Sequence, residues 1–289
     1  MTINVLLLED RKYTRQVVGE FLRLSLARYA SEADDPDPDA VGGQLAHVLP
    51  CGWKPLKDRD FEVCCPGDRK IRKLLDASPK EDRDELRGII GEMCAQAYAG
   101  KPPMPDVLVV DLALEDGEQN ELIANDQPWL AYLDTMERAR SEASEGKTEP
   151  ERPTPDSIFD SRTTVNGMTG FKVLRALVGE VPMIATSYAR HPLIARQCLV
   201  SGARAFVRKP IRENETTGDK DWDWAAAAKL DIRELERLGE QAIDPLATLV
   251  IEYLTTLTSQ VLAALPVVAL RQLGDYTRDS APPWIPPFA

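Results

Sequence analysis

Hydrophobic and polar positions along this chain follow two alternating rhythms. Four short runs are continuously apolar, Ile3 to Leu8, Val107 to Val110, Pro182 to Thr186 and Ala205 to Val207, the pattern of strands buried on both faces of a parallel sheet. A fifth run, Phe61 to Cys65, is weaker. Between them apolar residues recur every three or four positions. This occurs in Tyr13 to Tyr29 (Val17, Phe21, Leu24), Lys80 to Tyr98 (Leu86, Ile90, Met93, Ala97), Gly170 to Val178 (Phe171, Leu174) and Pro192 to Ser201. That spacing predicts helices with one apolar face. Strand alternates with helix, so the pattern predicts an α/β protein with a mostly parallel sheet and right-handed crossovers.

Two segments are too long for ordinary connections. Residues from about 31 to 60 contain DDPDPD and GG, and those from about 118 to 166 end in TEPERPTPDS. Both read as insertions at loops, where added length is tolerated. The second carries ELIANDQPWLAYLDTMERAR, with Leu122, Trp129, Leu130, Leu133 and Met136 on an amphipathic helix interrupted at Pro128. It is either a solvated decoration on the domain edge or a lid or partner-docking element. Past Pro210 an acidic connector, ENETTGDKD, leads to a helical tail from Asp221 to Arg278. The expected division is therefore a domain over 1–212 with two insertions, and a linker and helical extension over 213–289. In the tail, Ile243, Leu246, Val250, Tyr253, Leu257, Val261, Ala264 and Val268 form a stripe that needs a cover. Either the chain's own domain or a second copy in a two-fold dimer could supply it, and the dimer is the expectation.

Charge narrows the partners. With 35 basic against 47 acidic residues the formal net charge is −12, which repels phosphate backbones and anionic lipid and argues against nucleic acid and membrane. No apolar stretch approaches the roughly 18–20 uninterrupted residues of a span, and MTINVLLLEDRK reaches charge too early for a secretory signal. The expected location is cytoplasmic. Five cysteines (Cys51, Cys64, Cys65, Cys94, Cys198) lack paired C-x-x-C spacing, and only His47 and His191 could join them. Buried reduced thiols are expected, with neither a zinc site nor Ser-His or Cys-His catalysis.

Chemistry concentrates at the strand ends, the place where open parallel sheets bind ligands. The first strand ends in Glu9-Asp10, the third in Asp111, the fourth in Ser187 and the fifth in Lys209-Pro210. Adjacent carboxylates suit a hard cation such as Mg²⁺. A carboxylate facing that ion can attack phosphorus to form an aspartyl-phosphate, with a hydroxyl and an ammonium to hold the phosphoryl oxygens. Asp111 is thus placed to be phosphorylated.

This constellation resembles the receiver domains of two-component response regulators. The matching residues are Glu9-Asp10, Asp111, Ser187, Phe206 and Lys209-Pro210, supported by GFKVLRAL (170–177) and SGARAFVRKPI (201–211). Ser187 and Lys209 stand 22 residues apart, the spacing of that family without insertion. The intervals from Asp10 to Asp111 (101 residues) and from Asp111 to Ser187 (76) are longer by several tens. The resemblance implies a flavodoxin-like, doubly wound, five-stranded parallel sheet with helical insertions and a C-terminal helical extension. It implies Mg²⁺ held by Glu9, Asp10, Asp111 and the carbonyl of Ala113, and a phosphoryl group received from a histidine kinase or phosphotransfer protein. Ser187, Phe206 and Tyr188 would respond to phosphorylation, the Lys209-Pro210 bond would be cis, and output would pass through protein–protein contact.

Three residues depart from the family pattern. Tyr188 stands where a small residue is usual and narrows access to Asp111. Glu9 replaces the more frequent Asp, and Ala113 offers no side-chain base for hydrolysis of an acyl phosphate. A receiver-like adaptor that never carries phosphate is the second function class. A phosphatase of the haloacid dehalogenase type is the third, disfavoured because Ala113 stands where its second aspartate would be.

Overall fold

The structure, a computed structural model, describes residues 3–32, 61–94, 104–144, 165–210 and 245–276, with a few isolated positions between 227 and 237. Most of the first predicted insertion, the acidic connector, Cys51 and His47 lie outside these residues. Chain order is β1 (Ile3–Leu8), α1 (Lys12–Glu32), β2 (Phe61–Cys64), α2 (Asp68–Ala77), a 3₁₀ turn (Ser78–Lys80), α3 (Arg83–Met93) and β3 (Val107–Asp111). It continues with α4 (Asp116–Ser144), α5 (Thr169–Ala176), β4 (Met183–Ser187), α6 (Pro192–Val200), β5 (Ala203–Arg208) and α7 (Pro245–Tyr276).

All five strands pair in parallel in the order β2-β1-β3-β4-β5, the doubly wound order of a flavodoxin-like sheet. Strand order reverses at β1, so the C-terminal ends of β1 and β3 flank the crevice. Register fixes their relation: Leu8 pairs with Val110, and Asp111 pairs with Thr186.

The continuous apolar runs reflect a sheet covered on both sides, with successive residues feeding opposite layers. Leu6, Leu8, Leu108, Val110, Met183 and Ala185 face α2, α3, α5 and α6. Ile3, Val5, Leu7, Val107, Val109, Ile184 and Val207 face α1 and α7.

Three sequence expectations change here. First, the tail helix is the sheet's own cover: Val250, Tyr253, Leu254, Leu257, Val261, Leu262 and Leu265 are buried beside α1 against β1, β3 and β5. The stripe expected to meet a second copy is filled within the chain. The physical reason is coverage, since α1 alone cannot shield this face of a five-stranded sheet. Second, Ala247–Leu265 has the length and apolarity of a membrane span, with a mean hydropathy of 1.3. The sequence reading missed this, and in the fold its apolar residues serve the core. Third, α4 runs through Pro128 as one helix, where an interruption was expected. An additional helix, α2, stands before α3. Its polar face, Arg69, Lys70, Arg72 and Lys73, masks the buried positions Ile71, Leu74 and Ala77.

One close approach shapes the site. Gly170, in the first turn of α5, donates its N–H to Leu112 O at 3.0 Å. A Cβ there would collide with Asp111 O and lie 2.7 Å from Leu112 Cα, so only glycine lets α5 abut the end of β3.

Candidate functional site

Glu9, Asp10, Asp111 and Lys209 converge at the crevice. Lys209 is buried, and its Nζ lies 2.5 Å from both Asp111 Oδ2 and Glu9 Oε2. Its backbone N–H donates to Ser187 O at 2.8 Å, which fixes where β5 ends beside β4. The peptide between Lys209 and Pro210 is trans, since no cis peptide bond occurs among the described residues. That corrects the expected cis bond: the ammonium reaches Asp111 from a trans turn.

Asp10 stands at the edge, half-buried. The carboxylate oxygens of Glu9, Asp10 and Asp111 offer a metal three ligand atoms within 4.8 Å of one another. Asp10 Oδ1 and Asp111 Oδ1 are buried without a hydrogen-bond partner. Lone buried acceptors are costly, and two of them converging on hard-oxygen geometry fit a divalent cation.

Electrostatics point the same way. Burial pushes the Glu9 and Asp111 carboxyls above their usual range, against the opposing pull of Lys209. Asp10 is pushed up to about 6, first by burial and then by the neighbouring Glu9. Burial alone would lower the Lys209 ammonium, but Asp111 and Glu9 outweigh it and raise it. Lys209 is the ammonium seated on these carboxylates, and a single ammonium does not neutralise three of them.

No family model, curated protein or solved structure matches the chain.

The remaining sequence candidates take distinct places. Ser187, fully buried, lies one residue beyond the Asp111–Thr186 pair, and its hydroxyl accepts from Ala189 N at 3.1 Å. Tyr188 covers the rim: its ring centroid is 5.0 Å from Lys209 Nζ and 5.6 Å from the Arg11 guanidinium carbon. Ala113, fully buried, presents its carbonyl to Gln119 Nε2 at 3.0 Å, with a second lone pair to spare. Phe206 is half-buried against the layer holding α5 and α6, paired with Ala185. Cys198 is buried, whereas Cys64, Cys65 and Cys94 are partly exposed, which corrects the expectation of uniformly buried thiols.

Several contributors escaped the sequence reading. Arg15 donates from Nη1 to Glu9 O (2.7 Å) and Asp10 O (3.1 Å), and from Nη2 to Asp68 Oδ1 (2.5 Å). Its signal was slight, a basic residue on the otherwise apolar inward side of α1. Glu118 and Gln119, in the first turn of α4, latch the loop after Asp111. Glu118 accepts from Leu114 N (2.8 Å) and Thr169 N (2.5 Å), joining the two ends of the second insertion. Further along α4, Trp129 stacks with Tyr132 and meets His191, with centroids 5.8 Å apart. His191 caps α6 by accepting from Leu193 N at 3.2 Å. The insertion thus touches both the Asp111 loop and the loop that follows Ser187.

Proposed function

We propose that this chain is a response-regulator receiver protein that accepts a phosphoryl group on Asp111 from a histidine kinase or phosphotransfer protein, with output through protein–protein contact. The observation that carries this reading is the buried Asp111–Lys209 pair beside Glu9 and Asp10, at the point where strand order reverses. Glu9, Asp10 and Asp111 would hold Mg²⁺, with the Ala113 carbonyl within the same loop. Bound there, the ion supplies positive charge for phosphoryl oxygens.

The protein's own groups define the transfer. The Asp111 carboxylate attacks phosphorus, and the donor's P–N or P–O bond breaks with its electron pair leaving on the donor. Lys209, already charged and seated on Asp111 Oδ2, holds charge that accumulates on the transferred group. Ser187, one residue beyond the Thr186 that pairs with Asp111, would offer its hydroxyl to a phosphoryl oxygen. The burial of Asp111 and the ring of Tyr188 limit water at the acyl phosphate, and Ala113 brings no base to activate one.

Incubation with Mg²⁺ and a small acyl-phosphate donor, followed by intact-mass measurement, tests the reading. Addition of one phosphoryl group, lost in Asp111→Asn, is expected. A chain that binds Mg²⁺ yet never gains that mass, with either small donors or a phosphorylated histidine protein, would instead be a phosphorylation-independent adaptor.

A further inference from the structure

Arg15 sits in the first turn of α1, buried, with no carboxylate of the acidic cluster as its partner. Its guanidinium addresses the backbone that carries that cluster. One nitrogen spans Glu9 O and Asp10 O, at 2.7 and 3.1 Å, and the other reaches Asp68 Oδ1, the first residue of α2, at 2.5 Å. The Arg15 N–H also donates to Arg11 O at 2.9 Å. The turn from β1 into α1 is therefore gripped from the helix side, while Asp68, exposed and held below the usual carboxylate range by Arg15, anchors the outer nitrogen.

We infer that Arg15 is a positioning residue for the cation site: by fixing the two peptide carbonyls at Glu9 and Asp10 it sets the direction in which both carboxylates face Asp111. The inference rests on the proposed Mg²⁺ site and deepens it. Only a planar fork makes these contacts together, because a lysine ammonium is a point donor on a flexible stem. Groups that orient a ligand without touching the metal typically change metal affinity by about 10–100-fold.

Charge and geometry predict opposite signs here. Arg15 is a cation close to a cation site, so simple electrostatics says that Arg15→Met should tighten Mg²⁺ binding by removing repulsion. Positioning says that it should weaken it. Arg15→Lys separates the two again, since it keeps the charge and loses the fork.

The experiment is calorimetric titration of the full-length chain with MgCl₂, on wild type, Arg15→Met and Arg15→Lys, each checked by circular dichroism and metal-free melting. The expected result is Mg²⁺ affinity weakened about tenfold or more in both variants. Tighter binding by Arg15→Met, or wild-type affinity in Arg15→Lys, overturns the inference. So does a fall in melting temperature with unchanged affinity, which would make Arg15 a structural residue only. If Arg15→Met does not fold, the lysine variant alone decides. Absence of Mg²⁺ binding by wild type is a different failure: it removes the receiver reading and the inference with it.

Discussion

Lys209 Nζ and Asp111 Oδ2 lie 2.5 Å apart with both side chains sealed from solvent, and the same ammonium holds Glu9. Such a cluster adds little net stability as a whole, but removing one partner leaves charge buried and uncompensated. Lys209→Met is therefore expected to lower unfolding free energy by about 3–5 kcal/mol at pH 8, measured by urea denaturation. The loss should be smaller in a parallel measurement at lower pH, because the raised carboxyls of Glu9 and Asp111 take up protons more readily there and less charge is stranded. An equal loss at both pH values would mean that the carboxylates are not the groups Lys209 compensates.

Asp10 gives the opposite sign from an ordinary salt-bridged carboxylate. Its folded value, about 6, is above the 3.8 of an unperturbed aspartate, so the folded chain binds more protons than the unfolded one between those limits. Stability from this group consequently falls as pH rises from about 4 to 6, and stays low above that. Metal-free Asp10→Asn should be more stable than wild type at pH 7.5 and lose that pH dependence. It should also lose most of the stabilisation that Mg²⁺ gives wild type. Thermal melting across pH 4.5–8, with and without Mg²⁺, checks all three, and an Asp10→Asn chain that melts below wild type at pH 7.5 contradicts the assignment.

The fold was legible where burial is symmetric. The runs at Ile3–Leu8 and Val107–Asp111 announce strands because both faces must be apolar, and the polar residues that end them announce the crevice. Lys209 could be placed because a Lys-Pro after an apolar run has nowhere to go but the rim. What the pattern could not give was occupancy. The stripe on α7 was visible, but a helical stripe does not say which surface it covers, and the sheet face beside α1 becomes evident only when strand order is known. Arg15 and Gln119 were hidden for another reason: they act on carbonyls of Glu9, Asp10 and Ala113, and backbone acceptors leave no mark in a sequence.

The second insertion is expected to be mechanically linked to the loop after β4. Trp129 meets His191, and the first turn of α4 is latched to Leu114 and Ala113. Beyond Trp129 the described side chains of α4 are exposed or half-buried. Trp129→Ala should raise amide hydrogen exchange in residues 129–144 and around His191, leaving β3 and β4 protected. Unchanged exchange in both regions would show that the ring contact carries no coupling.

Removal of α7 tests which surface its stripe serves. Val250, Leu254, Leu257, Val261, Leu262 and Leu265 are essentially solvent-free, packed with Val5, Val107, Val109 and Val207. At about 1.5–3 kcal/mol for each buried side chain, the six contribute roughly 9–18 kcal/mol as an upper estimate. That matches or exceeds the whole stability of a typical domain, about 5–15 kcal/mol. A chain ending at residue 212 should then fail to reach a packed state, keeping some far-ultraviolet dichroism while binding a hydrophobic dye. Leu257→Asp in the full-length chain should be nearly as damaging, because it strands a charge against the sheet. A truncated chain that melts cooperatively and resists protease would place the stripe's cover elsewhere, and a two-fold interface through Val250, Tyr253 and Leu257 would regain its argument. Without that result the stripe cannot serve a second copy, since the same residues would have to leave the sheet to do so.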